Sequence, residues 1–143
     1  MSSAKKIVVE WEGNFRLTAR NEKGVSVSFD AAKEYGGEET ALSPMDNVLA
    51  SLAACSGYDV LTILRKKRQK VTGYSVEATA ERREDPPPRV FTRIHLKHIV
   101  RGENVAQEAV ERAIQLSDEK YCSVGAMLRN VVVITSSFEI LKA

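Results

Sequence analysis

The stretch SPMDNVLASLAACSGYDVLTIL, Ser43–Leu64, decides how the rest of the chain is read. Ser43 is a good helix N-cap, Pro44 suits the first helical position, and Asp46 stands three residues after the cap, near the positive end of the dipole. Val48, Leu49, Leu52, Ala53, Val60, Leu61 and Leu64 recur at helical spacing. RKKRQK, Arg65–Lys70, follows at the negative end, where cations are favoured. The pattern predicts one long helix. Its small residues, Ala50, Ser51, Ala53, Ala54, Ser56 and Gly57, let another backbone approach closely. A helix that is apolar or small nearly all round is buried on several sides. A chain of 143 residues hardly supplies that many neighbours, so burial between two subunits is expected. Near the middle of this helix sits Cys55, one of two cysteines in the chain. It is either a small core residue or a reactive centre.

Working outward, the first thirty residues alternate as strands do. Ile7, Val9 and Trp11 share one face, as do Phe15, Leu17 and Ala19, and Val25, Val27 and Phe29. Short polar breaks join them into an expected antiparallel meander. AAKEYGGEETAL reads as a loop. After the long helix, GYSVEATAER and RVFTRIHLKHIVR read as strands, separated by the proline-rich turn REDPPP. NVAQEAVERAIQLSDEKY reads as an amphipathic helix with Asn104 and Gln107 as its capping pair. Cys122 lies just beyond, before a short helix, and NVVVITSSFEI closes the chain as a strand. Helices and strands do not alternate regularly, so the expected class is α+β, a single domain over 1–143.

Composition narrows the function classes. Twenty-one basic and 19 acidic residues leave a net charge of +2, which gives no broad field for nucleic acid or membrane. RKKRQK is expected at a helix C-terminus whether or not it binds anything. The N-terminal apolar run is too short for a signal peptide, and no stretch approaches the roughly 20 apolar residues of a membrane span. A cytoplasmic protein follows, in a compartment where thiols stay reduced.

Cys55 and Cys122 are 67 residues apart, which is neither a CxxC redox spacing nor a zinc knuckle. His95 and His98 point to opposite faces of one strand and cannot share a metal; His98, on the apolar face, reads as a satisfied core histidine. Free cysteine is commonly a buried small hydrophobe, and reactivity needs a lowered thiol pKa. Asp59, four residues after Cys55 on the same helix face, works against that. Arg16, Thr18 and Arg20 share the polar face of the second strand, and the arginines are the first cations to consider.

SPMDNVLASLAACSGYDVLTIL, followed some seventy residues later by EKYCSVGAML, resembles the OsmC/Ohr family of bacterial thiol proteins, and the likeness covers nearly the whole chain. SPM, ERRED with FTRIHLKHIV, and LSDEKYCSV resemble its YhfA-type branch. The resemblance implies an intertwined homodimer, with antiparallel sheets flanking central long helices and active sites at the subunit interface. It implies reduction of organic hydroperoxides without metal, flavin or other cofactor. Cys55 would attack the peroxide and become a sulfenic acid, Cys122 would capture it as a disulfide, and a dithiol reductant would restore both. Arg20, with Arg16 as fallback, would stabilise the thiolate, and Asp46 would orient the arginine.

Two positions depart from the family pattern. Its peroxidases carry glutamate directly after the helix-opening proline, where this chain has Met45, with Asp46 one residue later. One residue is about 100° around a helix. They also carry the arginine in a GRDG-like turn, where this chain has ARNEKG. The alternative reading is a non-catalytic dimer whose interface pocket binds a small molecule or whose cysteines sense redox state. Such a module would tolerate Cys122→Ser, and a peroxidase would not.

Overall fold

Alternation in the first thirty residues produces β1 (Val8–Trp11), β2 (Leu17–Arg20) and β3 (Ser26–Phe29), paired antiparallel in that order. The computed structural model describes residues 4–143 and forms two compact units, the first reaching Val48 and the second running Leu49–Ala143. In the first unit the register sets Val9 opposite Ala19 and Ala19 opposite Val27, with Trp11, Leu17 and Phe29 in the next row. Directly opposed residues share a face, so the expected apolar face exists. Much of it is exposed: Trp11 is 72% accessible, Val9 53% and Val27 47%. The other face carries Glu10, Thr18, Arg20 and Ser28.

The loop after β3 contains one 3-10 turn, Lys33–Tyr35, and is organised around Asp30. The Asp30 carboxylate accepts from the Thr40 hydroxyl (2.6 Å), the Thr40 amide (3.1 Å) and the Ala31 amide (2.8 Å). These bonds, the Thr40 hydroxyl foremost, hold its pKa down to about 2.

The long helix α1 is Pro44–Lys66. Ser43 caps it as expected, its hydroxyl oxygen accepting from the Asp46 amide at 3.1 Å. At 23 residues α1 is long and apolar enough to cross a membrane by length and composition, which corrects the expectation that no stretch comes near that size. The alanines, serines and glycine between its large apolar residues do not interrupt it as charges would. Leu52, Ser56, Gly57, Val60 and Leu64 are buried on one side, while Ala50, Ala54, Tyr58 and Leu61 stay exposed.

In the second unit β4 (Lys70–Arg82) pairs antiparallel with β5 (Phe91–Glu103), and β5 pairs parallel with β6 (Val133–Lys142). A parallel pair needs a long crossover. Here it consists of α2 (Gln107–Leu116), a π turn over Ser117–Tyr121, and α3 (Ser123–Leu128). Val60 and Leu64 of α1, Val100 of β5, and Ala109, Val110, Ala113 and Ile114 of α2 make the core. Each such valine, leucine or isoleucine contributes about 1.5–3 kcal/mol by leaving water. Gly57 lets Tyr74 of β4 lie against α1, since a Cβ there would come 3.3 Å from the tyrosine ring.

Two local expectations are corrected. Asn104 and Gln107 do not cap α2: Asn104 takes a left-handed conformation with φ 50°, and the Ala106 amide donates to Gln69 Oε1 at 2.8 Å. The α-helix also stops at Leu116, where it widens into the π turn and does not continue to Tyr121.

Candidate thiol site

Helical spacing puts Cys55, Ser56 and Asp59 on two adjacent turns of α1, all within the second unit. Cys55 is half-buried and Cys122 is buried; both are free thiols. The crossover brings Cys122 back to α1, near enough to Cys55 for that thiol to help push the Cys122 thiol up. The two residues named from sequence are thereby brought together.

Cys122 caps α3, its Sγ accepting from the Gly125 amide at 3.3 Å. Gly125 has no Cβ to press on that sulfur; one added there would stand 3.2 Å from Sγ. Burial pushes the Cys122 thiol up to about 11. Its interactions with Cys55 and the Asp59 charge push the same way, and the Gly125 bond opposes them. Cys122 is thus a protonated thiol at neutral pH.

A buried polar chain runs beside the sulfurs. Ser117 Oγ lies 2.9 Å from Asp59 Oδ2 and 3.1 Å from Ser56 Oγ. A hydroxyl has one hydrogen to share. Ser117 is the donor toward both, the shorter bond going to the carboxylate and the longer one to the Ser56 hydroxyl oxygen as acceptor. Ser117 also opens the π turn whose closing bond runs from the Cys122 amide to the Ser117 carbonyl at 2.9 Å. Ser56 and Ser117 are 1% and 0% exposed, so their mutual bond is shielded from water, while the bond to half-buried Asp59 is partly shielded. Sequence reading picked out Asp59 only as a repulsive neighbour and passed over Ser117. Nothing in SDEKY signals that the helix widens there.

A cleft of about 450 Å³ opens along α1 beside this chain, lined by Asp59, Thr62, Ile63, Lys66, Leu116 and Tyr121. A larger one of about 570 Å³ runs by the ends of β5 and β6 and includes neither cysteine.

The remaining candidates belong to the first unit. Arg20, the last residue of β2, lies 3.7 Å from Glu10 and 3.9 Å from Glu12 carboxylate oxygens. The turn that follows is fixed by Asn21, whose side-chain oxygen accepts from the Lys23 and Val25 amides at 2.9 and 3.0 Å. Arg16 donates to the Thr40 hydroxyl at 2.6 Å and sits 3.7 Å from Glu12. Asp46 is exposed in the first turn of α1.

The histidines are structural. His95 bonds the hydroxyls of Thr135 (2.6 Å) and Ser137 (2.7 Å). His98 is fully buried; its Nδ1 meets the Tyr74 hydroxyl at 2.7 Å, but its Nε2 has no hydrogen-bond partner. It is a half-satisfied core histidine, where full satisfaction was expected. Burial first, then His95, lowers its pKa to about 4, so it is neutral at physiological pH. Among the described residues no group of three His, Cys, Asp or Glu side chains could hold a metal.

The family model for OsmC-like proteins matches residues 36–137. Protein YhfA of Escherichia coli K12 is 41% identical over 135 residues, covering 94% of this chain and 97% of the relative. A hypothetical protein of Aquifex aeolicus is similar in structure, with TM-score 0.85 and 31% identity over 99% of both chains. The organic hydroperoxide resistance protein OsmC of Legionella pneumophila shares the fold at TM-score 0.67 and 16% identity, covering 96% of this chain and 99% of its own. The segment carrying both cysteines lies inside the family match, and the chain belongs to the OsmC-like family, in the branch that contains YhfA.

Proposed function

We propose that the protein is a thiol-dependent reductase of organic hydroperoxides that works as a cytoplasmic homodimer. The observation that carries this reading is the pairing of a half-buried thiol, Cys55, with a buried second thiol, Cys122, near enough for each to act on the other. The Legionella relative, an organic hydroperoxide resistance protein with the same fold, supports the substrate class. In the first step the Cys55 thiolate attacks the peroxide; an S–O bond forms, the O–O bond breaks, and the alkoxide leaves as alcohol after taking a proton. In the second, the Cys122 sulfur attacks the Cys55 sulfenic acid. The S–S bond forms, the S–O bond breaks, and hydroxide leaves as water with the thiol's proton. An external dithiol then reduces the disulfide by exchange. Arg20, or Arg16, serves the thiolate and the developing oxygen anion, and Asp46 orients the arginine.

A second copy of the chain is the partner that suits the exposed apolar rows of the first sheet, Val9, Trp11 and Val27, and the exposed Tyr58 and Leu61 of α1. Surfaces of this kind are characteristic of association sites.

Two observations favour a second reading, a dimeric binding or redox-sensing module without turnover. Both candidate arginines already have carboxylate or hydroxyl partners in their own unit, and Met45 occupies the position of the family's acid.

Thiol counting and intact mass on reduced protein, before and after a small excess of an organic hydroperoxide, separate the two. Rapid loss of both thiols to an internal disulfide, with a sulfenic acid trapped in Cys122→Ser, supports the reductase. Oxidation no faster than that of free cysteine sinks it.

A further inference from the structure

Ser117 and Asp59 take no part in the peroxide chemistry above, yet their hydrogen bond ties the Cys122 turn to the Cys55 helix. A regular α-helix continuing from α2 would place its next residues 100° apart at 1.5 Å rise. The chain instead widens by one residue over Ser117–Tyr121 and closes that wider turn on the Cys122 amide. Such single π turns are frequent at functional sites. Here the turn begins at a serine whose hydroxyl is donated to Asp59, one helical turn beyond Cys55 on the same face of α1. The tie is part-buried, charge-assisted, and accompanied by a buried bond to Ser56 next to Cys55.

We propose that the Ser117–Asp59 hydrogen bond is the positioning device of the resolving step: it fastens the π turn that delivers Cys122 to the helix that carries Cys55. The idea rests on the two-thiol chemistry proposed above and adds to it a reason why the second sulfur meets the first. Ser117 and Asp59 are positioning residues, because neither needs to touch the peroxide. The charged or titratable groups acting on Cys122 are Cys55 and Asp59, both on α1, while the Gly125 amide of α3 faces the same sulfur. Asp59 therefore has two separable effects, a tie through Ser117 and a negative charge that disfavours the Cys122 thiolate.

Those effects are read with an aryl disulfide, dithiobis(nitrobenzoic acid), which tests ring closure without any peroxide. The Cys55 thiolate displaces one coloured aryl thiolate and is left in a mixed disulfide. Cys122 then attacks the Cys55 sulfur and expels the second, at a rate independent of reagent concentration. Misplacement of reacting groups by small distances is costly. Ser117→Ala and Asp59→Ala are expected to slow the second release relative to the first by on the order of tenfold across the pH range. Asp59→Asn retains an oxygen acceptor for Ser117 and removes the charge. It is expected to close at least as fast as wild type at neutral pH, with the midpoint of its pH–rate curve moved downward.

If both alanine variants close as fast as wild type, the positioning role is overturned; Asp59→Ala decides alone should Ser117→Ala fail to fold. A wild type that closes on the aryl disulfide while its thiols survive hydroperoxide would refute the reductase and leave the tie intact. Sulfenic acid formation by peroxide with unaltered closure in the variants would do the reverse.

Discussion

The two sheets of this protein solve the same problem differently. In the second unit, β4, β5 and β6 bury one face under helices, and Ile94, Leu96, His98 and Val100 of β5 are fully buried. In the first unit, β1, β2 and β3 segregate apolar from polar residues just as cleanly, yet the apolar rows of Val9, Trp11 and Val27 remain open. Side-chain order in that unit comes from polar ties, Asp30 with Thr40 and Thr18 with Glu12 and Ser28. Thus one unit holds its own core, and the other presents a surface made for one. An apolar face costs nothing to pattern in sequence, but it stabilises a structure only when something covers it.

The contrast can be broken most severely in the second unit. Leu64 is fully buried in the core cluster, and Leu64→Ala is expected to cost about 2–5 kcal/mol in urea unfolding. A loss below about 1 kcal/mol would mean that the packing does not hold the unit together. Next is His98. Its folded pKa lies below the unfolded value, so the unfolded chain binds the proton first. Stability is complete above about pH 6.5 and falls as pH drops toward 4, by on the order of 2–3 kcal/mol. His98→Gln, which cannot titrate, should flatten that part of the profile relative to wild type; matching slopes would refute the assignment.

Trp11→Ala sharpens the comparison from the other side. In an isolated chain this exposed substitution changes stability by no more than about 0.5 kcal/mol. In the proposed dimer it weakens association by about 2 kcal/mol, roughly thirtyfold, by sedimentation equilibrium. The smallest effect is expected at Asp30. Its depressed pKa stabilises the loop above about pH 4, and the contribution disappears as pH falls through about 2. Faster amide exchange at Thr40 in Asp30→Asn, confined to the loop, is the signature to seek.

What could be read in advance followed from periodicity and end chemistry. The three short strands, the capped helix starting at Pro44, the buried stripe of Ala109, Val110, Ala113 and Ile114, and the closing strand are local patterns of one residue against its near neighbours. The failures were of another kind. Asn104 had the right type for a cap, but Gln69, 37 residues away, took the bond to the Ala106 amide. The π turn at Ser117 depends on what α1 offers it, namely Asp59 and Ser56. The parallel pairing of β6 with β5 depends on the whole crossover.

The same division holds at the site. Spacing alone left Cys55 and Cys122 as either core residues or reactive thiols; the resemblance of their surroundings to the OsmC/Ohr family named them as the candidates. The sequence also established where strands and helices run, since apolar period is a local property. Only the tertiary structure decided that the two cysteines come near each other, that Cys122 is the buried one and its thiol is pushed up, and that Ser117 ties its turn to Asp59. Each of those outcomes depends on desolvation and on groups 58 or more residues apart, and such distances are set by packing, which no local pattern encodes.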